Sequence, residues 1–133
     1  MHTLLLRQFK GIGFDANMLI AIQAHGVDVF SDARGIFGGK AKFVVPEQVV
    51  RELDKLEKKG KKLEKAVAIA RASLRGNNVK VVRVEAENAD SALAGLAKQG
   101  YCIATADRAL GKKIKAFGGA VIYLRQRRFL FAD

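Results

Sequence analysis

The sequence contains little cysteine, proline or histidine, and no tryptophan. The single cysteine, Cys102, cannot form a disulfide within the chain, and because it lies in an apolar run we interpret it as a buried thiol. One proline in 133 residues, half of them apolar, argues against disorder. The apolar run at residues 4–6 stops at Arg7, too short for a signal peptide or a membrane segment. We therefore expect a soluble cytoplasmic protein with no membrane partner, folded as a single domain over residues 1–133.

Acidic residues are also scarce relative to basic ones. The chain has 24 Lys and Arg against 13 Asp and Glu, a net charge of +11. Such an excess favours a polyanionic partner, either the phosphate backbone of a nucleic acid or anionic lipid. A lysine-rich solubilising surface would give the same balance, so charge alone leaves both explanations open.

Apolar segments of strand length alternate with segments of helical periodicity. Strands are predicted at residues 11–16, 43–45, 79–84, 101–105 and 120–124, and helices at 18–24, 27–37, 46–59, 63–74, 89–98 and from Asp107 onward. This alternation predicts a parallel sheet covered by helices on both faces. The expected fold class is a three-layer α/β/α domain with about five strands.

Four acids fall at comparable places in this pattern. Asp15 follows the first strand and Asp107 the fourth, and in a doubly wound sheet these strands can be neighbours at the crevice where ligands bind. Glu52 and Asp90 lie at the edges of apolar helical stripes, near the starts of helices that follow strands. Each acid also has an ordinary explanation, because the aspartates could only favour helix N-termini and Glu52 could pair with Lys55.

Taken together, these acids indicate a metal centre. Carboxylates gathered at one sheet edge repel one another, and a bound cation would relieve that repulsion. Oxygen ligands suit Mg²⁺ or Mn²⁺, and both histidines lie outside the acidic segments. Such a metal beside a cationic surface is typical of phosphodiester hydrolysis. We predict that the catalytic, metal-binding residues are Asp15, Glu52, Asp90 and Asp107.

A basic surface is predicted next to this centre. Its nucleic-acid-binding residues are Arg108, Lys112, Lys113, Arg125, Arg127 and Arg128. The first three share a helix whose other face carries Leu110 and Ile114, although an ordinary charged helix would look the same. The apolar residues 129–131 follow what we predict to be an edge strand, so we expect them to pack on their own domain or at a homodimer contact.

From Phe14 to about Phe129, the chain resembles the PIN domains, a family of Mg²⁺- or Mn²⁺-dependent nucleases. Four segments carry the resemblance, namely Phe-Asp-Ala-Asn at 14–17, Val-Pro-Glu-Gln-Val-Val-Arg-Glu-Leu at 45–53, Ala-Asp-Ser-Ala-Leu at 89–93 and Ile-Ala-Thr-Ala-Asp-Arg-Ala-Leu at 103–110. The resemblance implies that the four acids hold the metal, that Asn17 and Thr105 support the site, and that the strand order is 3-2-1-4-5.

Within the family the chain is similar to archaeal PIN proteins and to the PIN nucleases of small-subunit ribosomal RNA processing. This implies an endoribonuclease, with ribosomal or transfer RNA as the favoured substrate. VapC-type toxins share the acids and the size, which implies an alternative partner, an antitoxin protein. Ser91 and Ala109 stand where the ribosomal branch often carries further acids, leaving open whether one metal or two are bound.

Two other functions remain open from the sequence. One is a catalytically silent PIN-like module that binds RNA or a protein, although the intact acid set counts against it. The other is an unrelated doubly wound domain that binds a small phosphorylated ligand. The sequence Gly-Ile-Gly at 11–13 supports it weakly, because the later glycine of a dinucleotide-binding loop is missing.

Overall fold

A single six-stranded sheet organises the protein. A computed structural model describes residues 9–26, 28–37, 42–125 and 128–132, with the backbone alone for 23–25, 36–37, 124–125 and 128–132. The strands are β1 (Gly11–Phe14), β2 (Phe43–Pro46), β3 (Lys80–Val82), β4 (Tyr101–Thr105), β5 (Val121–Arg125) and β6 (Arg128–Ala132). Their order is β3-β2-β1-β4-β5-β6, and the first five are parallel. The predicted order 3-2-1-4-5 is confirmed.

Helices cover both faces of the sheet, as predicted for a three-layer α/β/α fold. In the described residues they are α1 (Ala16–His25), α2 (Val29–Phe37), α3 (Glu47–Leu56), α4 (Lys61–Gly76), α5 (Ala89–Lys98) and α6 (Arg108–Ala116). A 3₁₀ turn at Glu57–Lys59 connects α3 to α4. The bounds of α5 and β4 agree with the sequence prediction. None of the helices in the described part of the chain is long and apolar enough to cross a bilayer.

The sixth strand was not predicted. β6 runs antiparallel to β5, with Ile122 opposite Phe131 and Leu124 opposite Phe129. The interpretation of β5 as an edge strand was therefore wrong, because the chain turns back and pairs with it. The apolar residues 129–131 extend the sheet of their own domain, which is one of the two outcomes expected for them.

The core lies along β1 and β4, the two central strands. All four residues of β1 are buried, and the Phe14 ring contacts those of Phe30 and Phe43 at centroid distances of 4.8 Å and 5.6 Å. Cys102 is buried in β4, and burial raises the pKa of its thiol to about 12. The interpretation of Cys102 as a buried thiol is confirmed.

Close packing explains the first glycine of the Gly-Ile-Gly sequence. A Cβ atom at Gly11 would lie 2.3 Å from the carbonyl oxygen of Lys42, which accepts a hydrogen bond from the Ile12 N–H at 2.8 Å. A side chain at position 11 would therefore separate β1 from the chain entering β2. The glycine is needed for strand packing, and it gives no support to a phosphate-binding loop.

Candidate metal centre

Asp15 lies where β1 ends and α1 begins, at the carboxyl edge of the parallel strands. Its Oδ1 accepts a hydrogen bond from the Met18 backbone N–H at 2.7 Å, so the residue is the N-cap of α1. Its Oδ2 accepts a hydrogen bond from the Thr105 hydroxyl. Only 7% of the residue is exposed. Asp15 therefore caps a helix and also directs its second oxygen toward the end of β4.

Thr105 connects the two central strands at this edge. It is fully buried, and it follows Ala104, which pairs with Phe14 and accepts a hydrogen bond from the Asp15 N–H at 3.2 Å. Its hydroxyl donates to Asp15 and accepts from the Asp107 backbone N–H at 3.0 Å. One buried hydroxyl thus fixes Asp15 relative to the turn that carries Asp107. The support role expected of Thr105 stays a prediction.

Asp107 is the N-cap of α6. Its Oδ1 accepts hydrogen bonds from the backbone N–H groups of Ala109 at 2.9 Å and Leu110 at 3.2 Å. Among the described residues, no hydrogen bond is recorded to its Oδ2. Helix capping and metal binding are the two explanations that the sequence offers for this residue and for Asp15. The geometry is compatible with both, because capping occupies one oxygen of each carboxylate.

The electrostatics of Asp15 indicate which acids are close to it. The pKa of this carboxyl is raised from 3.8 to about 6. Burial is the largest cause and the charges of Asp107 and Asp90 act in the same direction, while the hydrogen bonds from Thr105 and Met18 lower the pKa. Repulsion from two other carboxylates means that three of the four predicted acids share one electrostatic environment. A cation placed there would favour the ionised form of Asp15.

The other two acids differ in how closely they join this group. Asp90 is exposed in the first turn of α5, while the N-cap is Asn88, whose Oδ1 accepts from the Ser91 N–H at 2.9 Å. Asp90 is therefore not the cap, but its place in the first turn leaves open the alternative that it only favours the helix N-terminus. Glu52 is exposed on α3, and its charge is not among the causes that shift the pKa of Asp15. In the described residues, Glu52 and Lys55 form no salt bridge with each other.

Glu52 and Asp90 are linked indirectly through a residue that the sequence analysis missed. Gln48 lies one turn before Glu52 on α3 and is only 7% exposed. Its Nε2 donates to the carbonyl oxygens of Val84 at 2.8 Å and Ala86 at 2.9 Å, in the segment that leads to Asp90. Its Oε1 is buried without a partner in the described residues. The sequence showed only an amide one helical turn before a candidate ligand, and its burial is visible only in the structure.

The remaining predicted residues lie on α1, on α6 or outside the described part of the chain. Asn17 is exposed in the first turn of α1, two residues from Asp15. On α6, Arg108, Lys112 and Lys113 are exposed, while Leu110 and Ile114 are buried as predicted. The Arg108 guanidinium lies 4.7 Å from the centre of the Tyr123 ring. The side chains of Arg125 and Arg128 and the whole of Arg127 lie outside the described residues.

The donor set fits a hard divalent cation. It consists of carboxylate oxygens, with one free oxygen on Asp107 in the described structure and a strongly desolvated carboxylate at Asp15. Within the described residues, no three acidic, histidine or cysteine side chains already stand in an arrangement that would hold an ion. The side chains of Asp90 and Glu52 are exposed, so rotamer changes are open to them.

Known proteins resemble the chain in sequence and in fold. A sequence profile of the PIN-like domain family matches residues 12–127. Ribonuclease VapC9 from Archaeoglobus fulgidus is 30% identical over 119 residues, covering 90% of this chain and 86% of that protein.

Two solved structures share the fold. The PIN domain endonuclease Utp24 superposes with a TM-score of 0.74 at 18% identity, covering 91% of this chain and 90% of that one. A domain of a functionally unknown protein from Methanocaldococcus jannaschii superposes with a TM-score of 0.56 at 18% identity, covering 87% and 91%. At this level of sequence identity, the similarity to the two structures shows a shared fold and nothing about function.

Proposed function

This chain belongs to the PIN-like domain family, and on that premise we propose that it is a metal-dependent endoribonuclease that hydrolyses RNA phosphodiester bonds. The observation that supports this most strongly is the environment of Asp15, a buried carboxylate held by Thr105 and raised in pKa partly by Asp107 and Asp90. Perturbed carboxylates of this kind cluster at functional sites. The unrelated phosphate-binding domain is set aside, since the family is established.

The four acids would contribute to metal coordination in two ways, which depend on their positions. Asp15 and Asp107 are fixed by backbone and Thr105 hydrogen bonds, and they would supply preorganised oxygens to the metal. Asp90 and Glu52 are exposed, and they would complete the coordination from the solvent side. When bound, Mg²⁺ or Mn²⁺ supplies an activated water and stabilises charge on the attacked phosphoryl oxygen. Asn17 would orient groups at the rim of the site.

The basic residues of α6 would bind the substrate. Arg108 follows Asp107 directly, and its guanidinium stacks on Tyr123, which limits the directions in which it can donate. Lys112 and Lys113 continue the exposed face one turn further along the helix. A phosphate held by these cations would lie next to the carboxylates. Arg125, Arg127 and Arg128 belong to the same proposal on sequence grounds alone.

The biological setting has two candidates. The family resemblance in the sequence favours cleavage of ribosomal or transfer RNA in the cytoplasm, as in ribosomal RNA processing. The similarity to Ribonuclease VapC9 supports a VapC-type toxin instead, with an antitoxin protein as the partner. Homodimer formation is compatible with either setting.

Cleavage of a labelled RNA panel tests the proposed activity. The panel contains ribosomal, transfer and unstructured RNA, each incubated with Mg²⁺, with Mn²⁺ and with EDTA. We expect cleavage with a divalent metal, none in EDTA and none with Asp107→Asn. Metal-independent RNA binding without cleavage under any condition would instead identify a silent binding module.

A further inference from the structure

A polar cleft lies at the opposite edge of the sheet from the acids. It has a volume of about 530 Å³ and is bordered by Phe43, Lys80 and Tyr101, which are the first residues of β2, β3 and β4. Because these strands are parallel, their amino ends lie away from Asp15 and Asp107. At about 3.3 Å per residue, a strand of four to five residues separates the two sites by roughly 15 Å. The cleft is therefore distinct from the candidate metal centre.

Positive charge dominates this cleft. Its lining includes Arg34, Lys42 and Lys80, together with the amides of Asn77 and Asn78, and no acid is present among the described lining residues. Three like charges around one concavity repel one another unless an anion lies between them. Among the described residues, the recorded ion pairs of arginines involve Arg51, Arg71 and Arg83, and none reaches the cleft.

Arg34 is held in place by neutral groups. Its guanidinium lies 5.3 Å from the centre of the Phe43 ring and donates to Oδ1 of Asn77. Asn77 is fixed in turn, because its Nδ2 donates to the Ser73 carbonyl oxygen at 2.8 Å. The part-buried Arg71 differs, since it pairs with the carboxylates of Asp54 and Glu57. Arg34 is thus oriented in its described surroundings without a neutralising partner, as a preorganised anion site requires.

We infer that this cleft binds a nucleotide through its phosphate. Arg34 offers further N–H donors of its planar fork to a phosphate, and Lys42 and Lys80 add charge at the rim. The Tyr101 ring, with Val44 and Val82, provides the apolar surface that a base would cover. The volume lies within the range of small-ligand sites, about 300–1,000 Å³. The nucleotide is either free or part of an RNA strand, because both present the same chemistry.

Binding of 5′-AMP, inorganic phosphate and a 12-residue oligoribonucleotide tests this inference. All titrations are performed in EDTA, so that the outcome does not depend on metal binding or cleavage at the acids. Arg34→Gln and Lys80→Gln remove charge from the cleft, and Lys62→Gln removes an exposed charge from the far end of α4. Thermal melting checks that each variant is folded, and Lys80 is exposed, so its substitution leaves the core intact.

We expect 5′-AMP to bind more tightly than phosphate, and Arg34→Gln to weaken it about tenfold or more. Lys80→Gln should weaken it several-fold and Lys62→Gln should not. If the variants weaken binding of the oligoribonucleotide and of 5′-AMP in parallel, the bound nucleotide is part of an RNA strand. If they weaken binding of 5′-AMP alone, the cleft binds a free nucleotide. Equal affinity for phosphate and 5′-AMP, no binding, or equal effects of Lys80→Gln and Lys62→Gln would overturn the inference.

Discussion

The hydroxyl of Thr105 donates a hydrogen bond to the buried carboxylate of Asp15, joining the carboxyl ends of the two central strands. The same oxygen accepts the Asp107 N–H at 3.0 Å, so the geometry of two candidate metal ligands depends on one side chain. This dependence can be tested without changing any acid.

Thr105→Val should impair RNA cleavage because it changes the environment of Asp15. Valine has nearly the same shape but neither donates to Asp15 nor accepts from Asp107, so the pKa of Asp15 should rise above about 6. The acid limb of the pH profile of kcat/KM should then shift to higher pH. The lost hydrogen bonds should also lower the unfolding free energy by about 1–3 kcal/mol. Thr105→Ser keeps the hydroxyl and is the matched control. Identical pH profiles for the valine and serine variants would separate Thr105 from the site.

The metal-free protein should lose stability as the pH rises from about 4 to about 6. The carboxyl of Asp15 has a folded-state pKa of about 6 against 3.8 without burial, so the folded state binds the proton more tightly. Ionisation therefore costs unfolding free energy, about 2–3 kcal/mol once the pH exceeds 6. Urea unfolding in EDTA at several pH values, for wild type and Asp15→Asn, isolates this contribution. Across that pH window, the unfolding free energy of Asp15→Asn should rise relative to that of wild type. If the difference in unfolding free energy between the two proteins stays constant, Asp15 titrates normally.

Gln48→Met should reduce kcat more than it affects KM. The change leaves the carbonyl oxygens of Val84 and Ala86 without their donor, which should cost about 1–3 kcal/mol of stability. It also releases the segment that positions Asp90. Cleavage is compared at a temperature where both proteins are folded, with the exposed Gln99→Met as control. An unchanged kcat in the Gln48 variant would limit this residue to a purely structural role.

Lys112→Ala combined with Lys113→Ala should weaken RNA binding and lower its salt dependence. Both side chains are exposed on α6, whose buried side carries Leu110 and Ile114. Each lost phosphate contact should reduce the slope of log affinity against log salt by about 0.7–0.9. Lys61→Ala with Lys62→Ala removes the same charge from α4. If both double variants change the slope equally, α6 has no special part in binding.

The sheet and the edge where the site lies were predictable because they depend on local patterns. Alternating strands and helices fix a parallel sheet, and acids that follow strands must then lie at its carboxyl edge, as Asp15 and Asp107 do. The dual role of Asp15 was not predicted, since a sequence does not show that capping occupies only one carboxylate oxygen.

The missed features depend on contacts between residues far apart in the chain. Gln48 bonds to carbonyls 36 and 38 residues away, and Arg34 bonds to Asn77 across 43 residues. β6 was missed because its residues show no distinct periodic pattern, and its antiparallel pairing with β5 is visible only in the structure.

Asp15→Asn, measured by thermal melting in EDTA and in Mn²⁺ alongside RNA cleavage, tests the metal-centre account most directly. Asparagine keeps the cap on Met18 and removes one charge from a crowded group of carboxylates, so at pH 7.5 in EDTA the variant should melt at the same temperature or higher. Its stabilisation by Mn²⁺ should shrink, cleavage should be abolished, and RNA binding should survive. A variant that is destabilised in EDTA, yet retains wild-type cleavage and the full Mn²⁺ shift, would contradict the account.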